Sequence, residues 1–472
     1  MAFSSVIFVC VFLPAVCILN WAIPGVRGRN ILLAAASLLF YAFGDPAHLL
    51  LLLGSVLFNY AAGLLAARPW RWSRLVLWAA VAGNLGVLAF YKYLGFLAEN
   101  LSLLLGVSLP VPAVALPLGI SFFTFQGLSY VIDVYRDKSL ATRSFFDLLL
   151  YICLFPRLVA GPILKYQDVA GELHCRAVTL DGTARGVRRF ILGLTKKLLL
   201  SDTAAGMVNA VFALEAGQLD FRLAWLGAVG YALQIYFDFS GYSDMAIGLG
   251  WIFGFHFKEN FRYPYAAASV KEFWRRWHIS LSTWFRDYLY IPLGGNRKGK
   301  ARTYCNKLIV FFCTGLWHGA SWTFVLWGAW HGVFAVFESA LGVGRKGGKP
   351  VSRPLRGLGH VYTLAVAALG FVLFRAGSLG EAWQVLRSCF TGFALTGEAA
   401  LLLELVTPAQ WLALAVGAAA SLPIVPAAAE RLGTRGRAAA ESVCFLLAAA
   451  LFCLCLPAVA AGGFESFIYA QF

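Results

Sequence analysis

An all-α polytopic membrane protein is the expectation this sequence raises, with about eleven transmembrane helices plus re-entrant and interfacial helices. Three observations lead there. The 472 residues are 60% hydrophobic and only 13% charged, where soluble domains carry about 25% charged residues. Apolar runs of roughly 20 residues, the length a helix needs to cross hydrocarbon, recur along the chain. The short alternating segments of a lipid-embedded β-barrel do not recur.

The first apolar segment covers 3–23. Its start, "MAFSSVIFVCVFLPAVCILNW", lacks the basic region that opens a cleaved signal, so it reads as a retained span. Further segments fall at 30–43, 49–67, 75–97, 113–134, 146–164, 187–212 and 223–256. Then come 305–341, long enough for two passes, and 358–374, 410–428 and 440–461. The ten cysteines, among them Cys10, Cys17, Cys313 and Cys453, mostly sit inside such runs without zinc or redox spacing. They read as small buried hydrophobes rather than a disulfide framework.

Charge placement orients the spans. The formal net charge is +16. In a soluble chain that would suggest nucleic acid; here basic loops facing the cytoplasm explain it. A basic face would also attract an anionic ligand such as a nucleotide-bearing acyl donor. The loops "GVRGR" (25–29), "RPWRWSR" (68–74) and "YRDK" (135–138) are each two spans apart and share one side. That side is cytoplasmic by the positive-inside rule, which puts the N-terminus outside. Placing "RKGGKPVSRPLR" (345–356) and "ERLGTRGR" (430–437) inside puts the C-terminus outside as well. No repeat or soluble domain is evident, so 1–472 reads as a single membrane domain, with 440–472 its last span and an external aromatic tail.

Residues 258–307 differ in character. "SVKEFWRRWHISLSTWFRDYLYIPLGGNRKGKAR" is too charged to cross hydrocarbon. On one helix Phe273, Trp277, Leu281, Trp284 and Tyr288 would line a single side, with Lys271, Glu272, Arg275 and Arg276 largely elsewhere. This predicts an amphipathic cytoplasmic interfacial helix, ended by the basic turn "PLGGNRKGK".

Histidine supplies the candidate chemistry. His318 sits in "TGLWHGASWTFVLWGAWHG" (314–332) beside Gly315, Gly319, Ala320 and Ser321. An ionisable group at membrane depth is a functional candidate by default; a hydrogen bond between helices is the alternative, and both readings stand. His331 reads as a packing residue. His278, in "RRWHIS", is either an ordinary interfacial histidine or a base kept neutral by neighbouring cations. Asp238 and Asp244 flank Ser240, Gly241 and Ser243, which suggests a break in the helix with capped ends. No metal-ligand cluster, phosphate-cradling loop or GxSxG elbow is found.

Taken together, these stretches resemble the membrane-bound O-acyltransferase family, in its bacterial alginate O-acetyltransferase branch. The likeness rests on "YFDFSGYSDMAIGLG" (236–250), "ENFRYPYAAASVKEFWRRWHISLSTWFRDYLYIPLGGNR" (259–297) and the 314–332 stretch. "LFPRLVAGPILKY" (154–166) and "LPLGISFFTFQGLSYVIDVYR" (116–136) also look like family segments.

That resemblance implies helices around a central tunnel or funnel, a cytoplasmic thioester donor and an acceptor reached from the opposite side. It assigns the essential histidine to His318 and the second candidate to His278. It also implies a role for "FESFIYAQF", in which Tyr469 would be an acyl relay; an interfacial belt of Phe467, Tyr469 and Phe472 stands equally, and Ala470 departs from the family pattern. Arg275, Arg276, Arg286 and Arg297 would meet donor phosphates, or else lipid headgroups. The function expected is transfer of acetyl from acetyl-CoA, with no bound cofactor or metal, to an exported polysaccharide such as alginate. His318 would act as general base at a bacterial inner membrane. A periplasmic SGNH-type acetyltransferase partner is implied, and no nucleic acid. The rivals are a transporter or flippase for an acetylated carrier or glycan, without thioester chemistry, and a scaffold for exopolysaccharide machinery.

Overall fold

The structure is a computed structural model that describes residues 2–108, 110, 114–215, 217–343, 352–431, 434–462 and 467–468. Among them every regular element is helical. The chain divides into two compact units. One holds the residues up to Phe190 together with Ser243–Lys258, the other Ile191–Tyr242 and Glu259–Ile468.

The first unit contains α1 (Leu13–Ala22, preceded by a π-helical turn from Ile7), α2 (Val26–Gly44), α3 (Leu49–Ala67), α4 (Ser73–Leu105) and α5 (Ile120–Arg136). The short α6 (Phe145–Cys153) and α7 (Tyr166–His174) follow, then the first part of α8 (Leu180–Thr195). Polar residues tie these apolar helices where no water is at hand. Asn59 on α3 and Asn84 on α4 exchange amide hydrogen bonds of 3.1 and 2.9 Å. The outer surface is greasy: Leu103 and Leu104 of α4 are 83% and 81% exposed, as lipid-facing side chains are.

The second unit begins with the last turn of α8, a π-helical segment Lys196–Asp202, and α9 (Thr203–Phe212). It holds most of α10 (Phe221–Ile252), then α11 (Val270–Arg276), α12 (Ile279–Phe285), α13 (Gly299–His318), α14 (Trp322–Ala340) and α15 (Arg353–Arg375). The remainder is α16 (Leu379–Thr391), α17 (Gly397–Leu405), α18 (Pro408–Ala420), α19 (Ile424–Ala429) and α20 (Thr434–Ala461).

Among the described residues, length and composition alone support five membrane-crossing helices of the eleven expected, or up to six when α17 and α18, bent by 83°, count as one broken span. The apolar segments at 113–134, 146–164 and 187–212 are interrupted. Helix begins only at Ile120, after Gly119 at φ +72°. α6 ends at Cys153, and a 3-10 turn containing Pro156 follows. The π-helical segment divides the third.

Two local expectations change. The break foreseen near Ser240 is absent: α10 runs unbroken through Asp238 and Asp244. Its small residues serve close packing instead. A Cβ on Gly241 would sit 2.8 Å from the Gly193 carbonyl oxygen of α8, so only glycine admits that approach. The acids are satisfied by cations, Asp238 by Lys197 at 2.7 Å and Asp244 by Arg189 at 2.6 Å.

The single interfacial helix foreseen within 258–307 is broken in two at Trp277–His278, where His278 adopts φ +44°. The apolar side was read correctly. Phe273, Trp277, Leu281, Trp284 and Tyr288 are all buried.

Candidate active site

α13 and α14 are joined by only three residues, and His318 is the last residue of α13. The hairpin is tight. A Cβ on Gly328 would lie 2.4 Å from the Phe311 carbonyl oxygen, and one on Gly315 2.4 Å from that of Phe324. Gly319 follows in extended conformation, and the Ser321 hydroxyl accepts the Thr323 N–H at 3.3 Å to start α14. The turn "HGAS" therefore reverses the chain directly after the imidazole. His318 is 2% exposed. Trp317, Trp327 and Phe374 meet its ring edge to face, at centroid distances of 5.0, 5.0 and 5.1 Å. Such contacts fix the plane of the ring and keep water from its sides.

His278 stands next to it, the two ring centroids 6.4 Å apart. It is fully buried and caps α12 from a left-handed backbone conformation. A non-glycine residue held at positive φ costs of order 1–3 kcal/mol, and such residues cluster at functional sites. Phe239 of α10 packs against the ring at 4.7 Å and Trp317 at 5.9 Å.

Asn260 sets the state of His278. Its side-chain oxygen accepts the Ser280 N–H at 3.1 Å and the Ser280 hydroxyl at 2.9 Å, and His278 Nδ1 lies 3.3 Å away. An amide oxygen can only accept, so the contact assigns the proton to Nδ1 and the lone pair to Nε2. Burial pulls the pKa of His278 well below the usual imidazole range. The neutral form expected from nearby cations is thus favoured, but desolvation is the cause.

His331 is a packing residue, as expected. It stacks parallel to Phe273, and its Nδ1 accepts the Trp274 indole N–H at 3.4 Å. Two turns further along the hairpin's second arm, Glu338 accepts the backbone N–H groups of Val270 and Lys271, at 2.6 and 2.9 Å. This ties the start of α11 to α14.

The arginines proposed for a donor differ in their commitments. Arg276 pairs with Glu272 at 2.6 Å and Arg286 with Asp287 at 2.7 Å, while Arg275 and Arg297 are exposed. Lysines form a more concentrated basic feature. Lys271, Lys300 and Lys307 line a cavity of about 350 Å³ together with Asn296, Thr303, Tyr304 and Ser339. Tyr469 lies outside the described residues. Sequence reasoning passed over Asn260, Glu338 and Lys197. Each acts on a partner distant in sequence, so no local pattern marks it.

The profile of the membrane-bound O-acyltransferase family matches residues 117–345, which include both histidines. A probable alginate O-acetylase of Pseudomonas aeruginosa is 44% identical over 402 residues, 83% of this chain and 75% of that protein. A peptidoglycan O-acetyltransferase of Helicobacter pylori is 35% identical, over 82% of this chain and 79% of its own length. A teichoic acid D-alanyltransferase of Streptococcus thermophilus is 30% identical, over 56% and 69% respectively. With 44% identity sustained over most of both chains, this chain belongs to the membrane-bound O-acyltransferase family and is an O-acyltransferase.

Proposed function

We propose that the protein transfers acetyl from cytoplasmic acetyl-CoA across a bacterial inner membrane, for O-acetylation of an exported polysaccharide. The observation that carries this reading is the pair of buried histidines, His318 and His278, 6.4 Å apart in an aromatic enclosure. The alginate and peptidoglycan acetyltransferases among the relatives support acetyl as the group and a polysaccharide as the acceptor class.

In the proposed step an acceptor oxygen attacks the thioester carbonyl carbon. His318 takes the hydroxyl proton as the O–C bond forms. The C–S bond then breaks, and the proton passes to the departing thiolate. A positioned general base contributes ~10²–10⁴-fold. His278, with Nδ1 engaged by Asn260, offers Nε2 as a second acceptor. A hydrogen bond from His318 to the developing oxyanion is the alternative role. Exclusion of water protects the thioester from hydrolysis.

The donor's phosphates are assigned to the cavity of Lys271, Lys300 and Lys307, since lysine serves phosphate as a point charge. Arg275, one turn beyond Lys271 on α11, adds to that field, whereas Arg276 and Arg286 share their charge with Glu272 and Asp287. In this reading the cavity faces the cytoplasm, both chain ends face outward, and an SGNH-type partner completes transfer outside. Tyr469 is retained as a candidate relay.

The test replaces His318 with Ala in a strain lacking the wild-type gene and measures acetyl on the extracellular glycan by mass spectrometry. Acetylation falls to the deletion level while the variant accumulates normally in the membrane. Undiminished acetylation would reject the assignment.

A further inference from the structure

A second buried polar centre lies on α10, one residue from Phe239, the ring that supports His278. Lys197 and Asp238 are each 1% exposed and pair at 2.7 Å. Asp202 holds the same ammonium at 2.8 Å. Lys197 and Asp202 are five residues apart within the π-helical segment, whose wide turn brings both to one side. Such a centre does not assemble for stability alone, because desolvating the charges offsets much of their attraction.

What it does hold is the far end of the chain. The Ile468 N–H donates to Asp238 Oδ2 at 2.8 Å. The Lys197 ammonium sits over the Phe467 ring, 4.8 Å from its centroid. Tyr242, one turn along α10 from Asp238, packs edge to face against the same ring at 4.7 Å. Phe467 is 6% exposed. Two carboxylates face one ammonium here, which leaves acceptor capacity on Asp238 that a backbone N–H can fill. Three contacts of different kinds thus converge on two consecutive residues more than two hundred positions away in sequence. An aromatic belt at the membrane surface would need none of them.

We propose that Lys197 and Asp238 are positioning residues that dock the C-terminal segment at Phe467–Ile468, on the stretch of α10 that also supports His278. The dock lies immediately before Tyr469 in sequence. It therefore sets where the last residues begin, whether they relay acetyl or line the acceptor's path. The inference rests on the acyltransfer reading for its functional consequence, but not for the docking itself.

The experiment separates the two. Hydrogen–deuterium exchange of the peptide containing Phe467 and Ile468 is measured in the full-length protein in nanodiscs, without substrate. The variant Lys197→Met/Asp202→Asn/Asp238→Leu replaces all three charges by uncharged side chains of similar size, a change that buried ion triads commonly tolerate. It is expected to remain monodisperse, to exchange that peptide at least tenfold faster and to lose at least tenfold in glycan acetylation. Truncation after residue 466 is expected to cause a similar loss in the wild-type background and none further in the variant. Lys197→Arg, which keeps the charge above the ring, restores most of both signals.

Unchanged exchange in the variant would overturn the docking. Faster exchange with full acetylation would overturn its positioning role. Additive losses on truncation would show that the pair acts elsewhere. Should that variant not fold, Phe467→Ala with the charged triad intact is expected to speed exchange of the Ile468 amide, and unaltered exchange there overturns the proposal. If wild-type protein transfers no acetyl at all, the acyltransfer reading fails while the exchange result still decides the dock.

Discussion

At the residue scale, His278 shows how one neighbour decides a side chain's chemistry. Asn260 offers only an acceptor to Nδ1 and leaves Nε2 its lone pair. Asn260→Asp keeps the shape and the acceptor but adds a negative charge. An opposite charge at that distance favours imidazolium, so the His278 pKa rises. As pH falls through the raised pKa, Nε2 gains a proton and can no longer accept one. The variant's rate in a pH series from 5 to 9 is expected to gain an acid limb, with activity recovering as pH rises. The wild type is expected to show no limb from His278 in that range, because burial favours its neutral form. Identical profiles would show that His278 plays no part in proton transfer. His318 stood out in the sequence because imidazole has no reason to enter an apolar run, and His278 because it lies among cations. The left-handed backbone of His278 did not. It is imposed by the tertiary bonds of Asn260, whose backbone carbonyl accepts the Ile279 N–H at 3.0 Å and whose side chain takes up Ser280.

At the scale of elements, the α13–α14 hairpin positions His318 through its glycines. Gly328→Ala would set a methyl 2.4 Å from the Phe311 carbonyl oxygen and 3.2 Å from Gly315 Cα. The two helices must then separate at mid-hairpin. Overpacking of this kind costs about 1–3 kcal/mol, and the expected result is a lower melting temperature together with at least a tenfold loss of acetylation. A normal melting temperature with full activity would mean that the close approach is dispensable. Existence of the hairpin was legible, since 305–341 exceeds one span and "HGAS" supplies a turn. The continuity of α10 was not. Ser240, Gly241 and Ser243 carry the same small side chains whether a helix breaks or a neighbour packs close. Only the Gly193 carbonyl, some fifty residues earlier, decides between them. The opposite error occurred within 258–307. An uninterrupted apolar stripe concealed the break, because a kink at Trp277–His278 still leaves the stripe facing inward.

At the scale of the whole molecule, composition was enough for the class and the resemblance for the family, but not for the number of passes. Interrupted apolar segments such as 146–164 and 187–212 carry span-like hydropathy yet fold as short helices, turns and a π-helical segment. Hydropathy averages over the backbone irregularity that buried polar residues such as Lys197 and Arg157, each 1% exposed, help to hold. The proposed function centres on a thioester exchange at His318, and purified protein tests that most directly. Wild type and His318→Ala are reconstituted in liposomes with acetyl-CoA, an oligosaccharide acceptor and the external partner, and free CoA is followed against acetylated product. Wild type is expected to release one CoA per acetyl transferred, and His318→Ala to fall by at least ~10²-fold with its fold unchanged. Equal turnover by both proteins, or glycan movement without any CoA release, would contradict it.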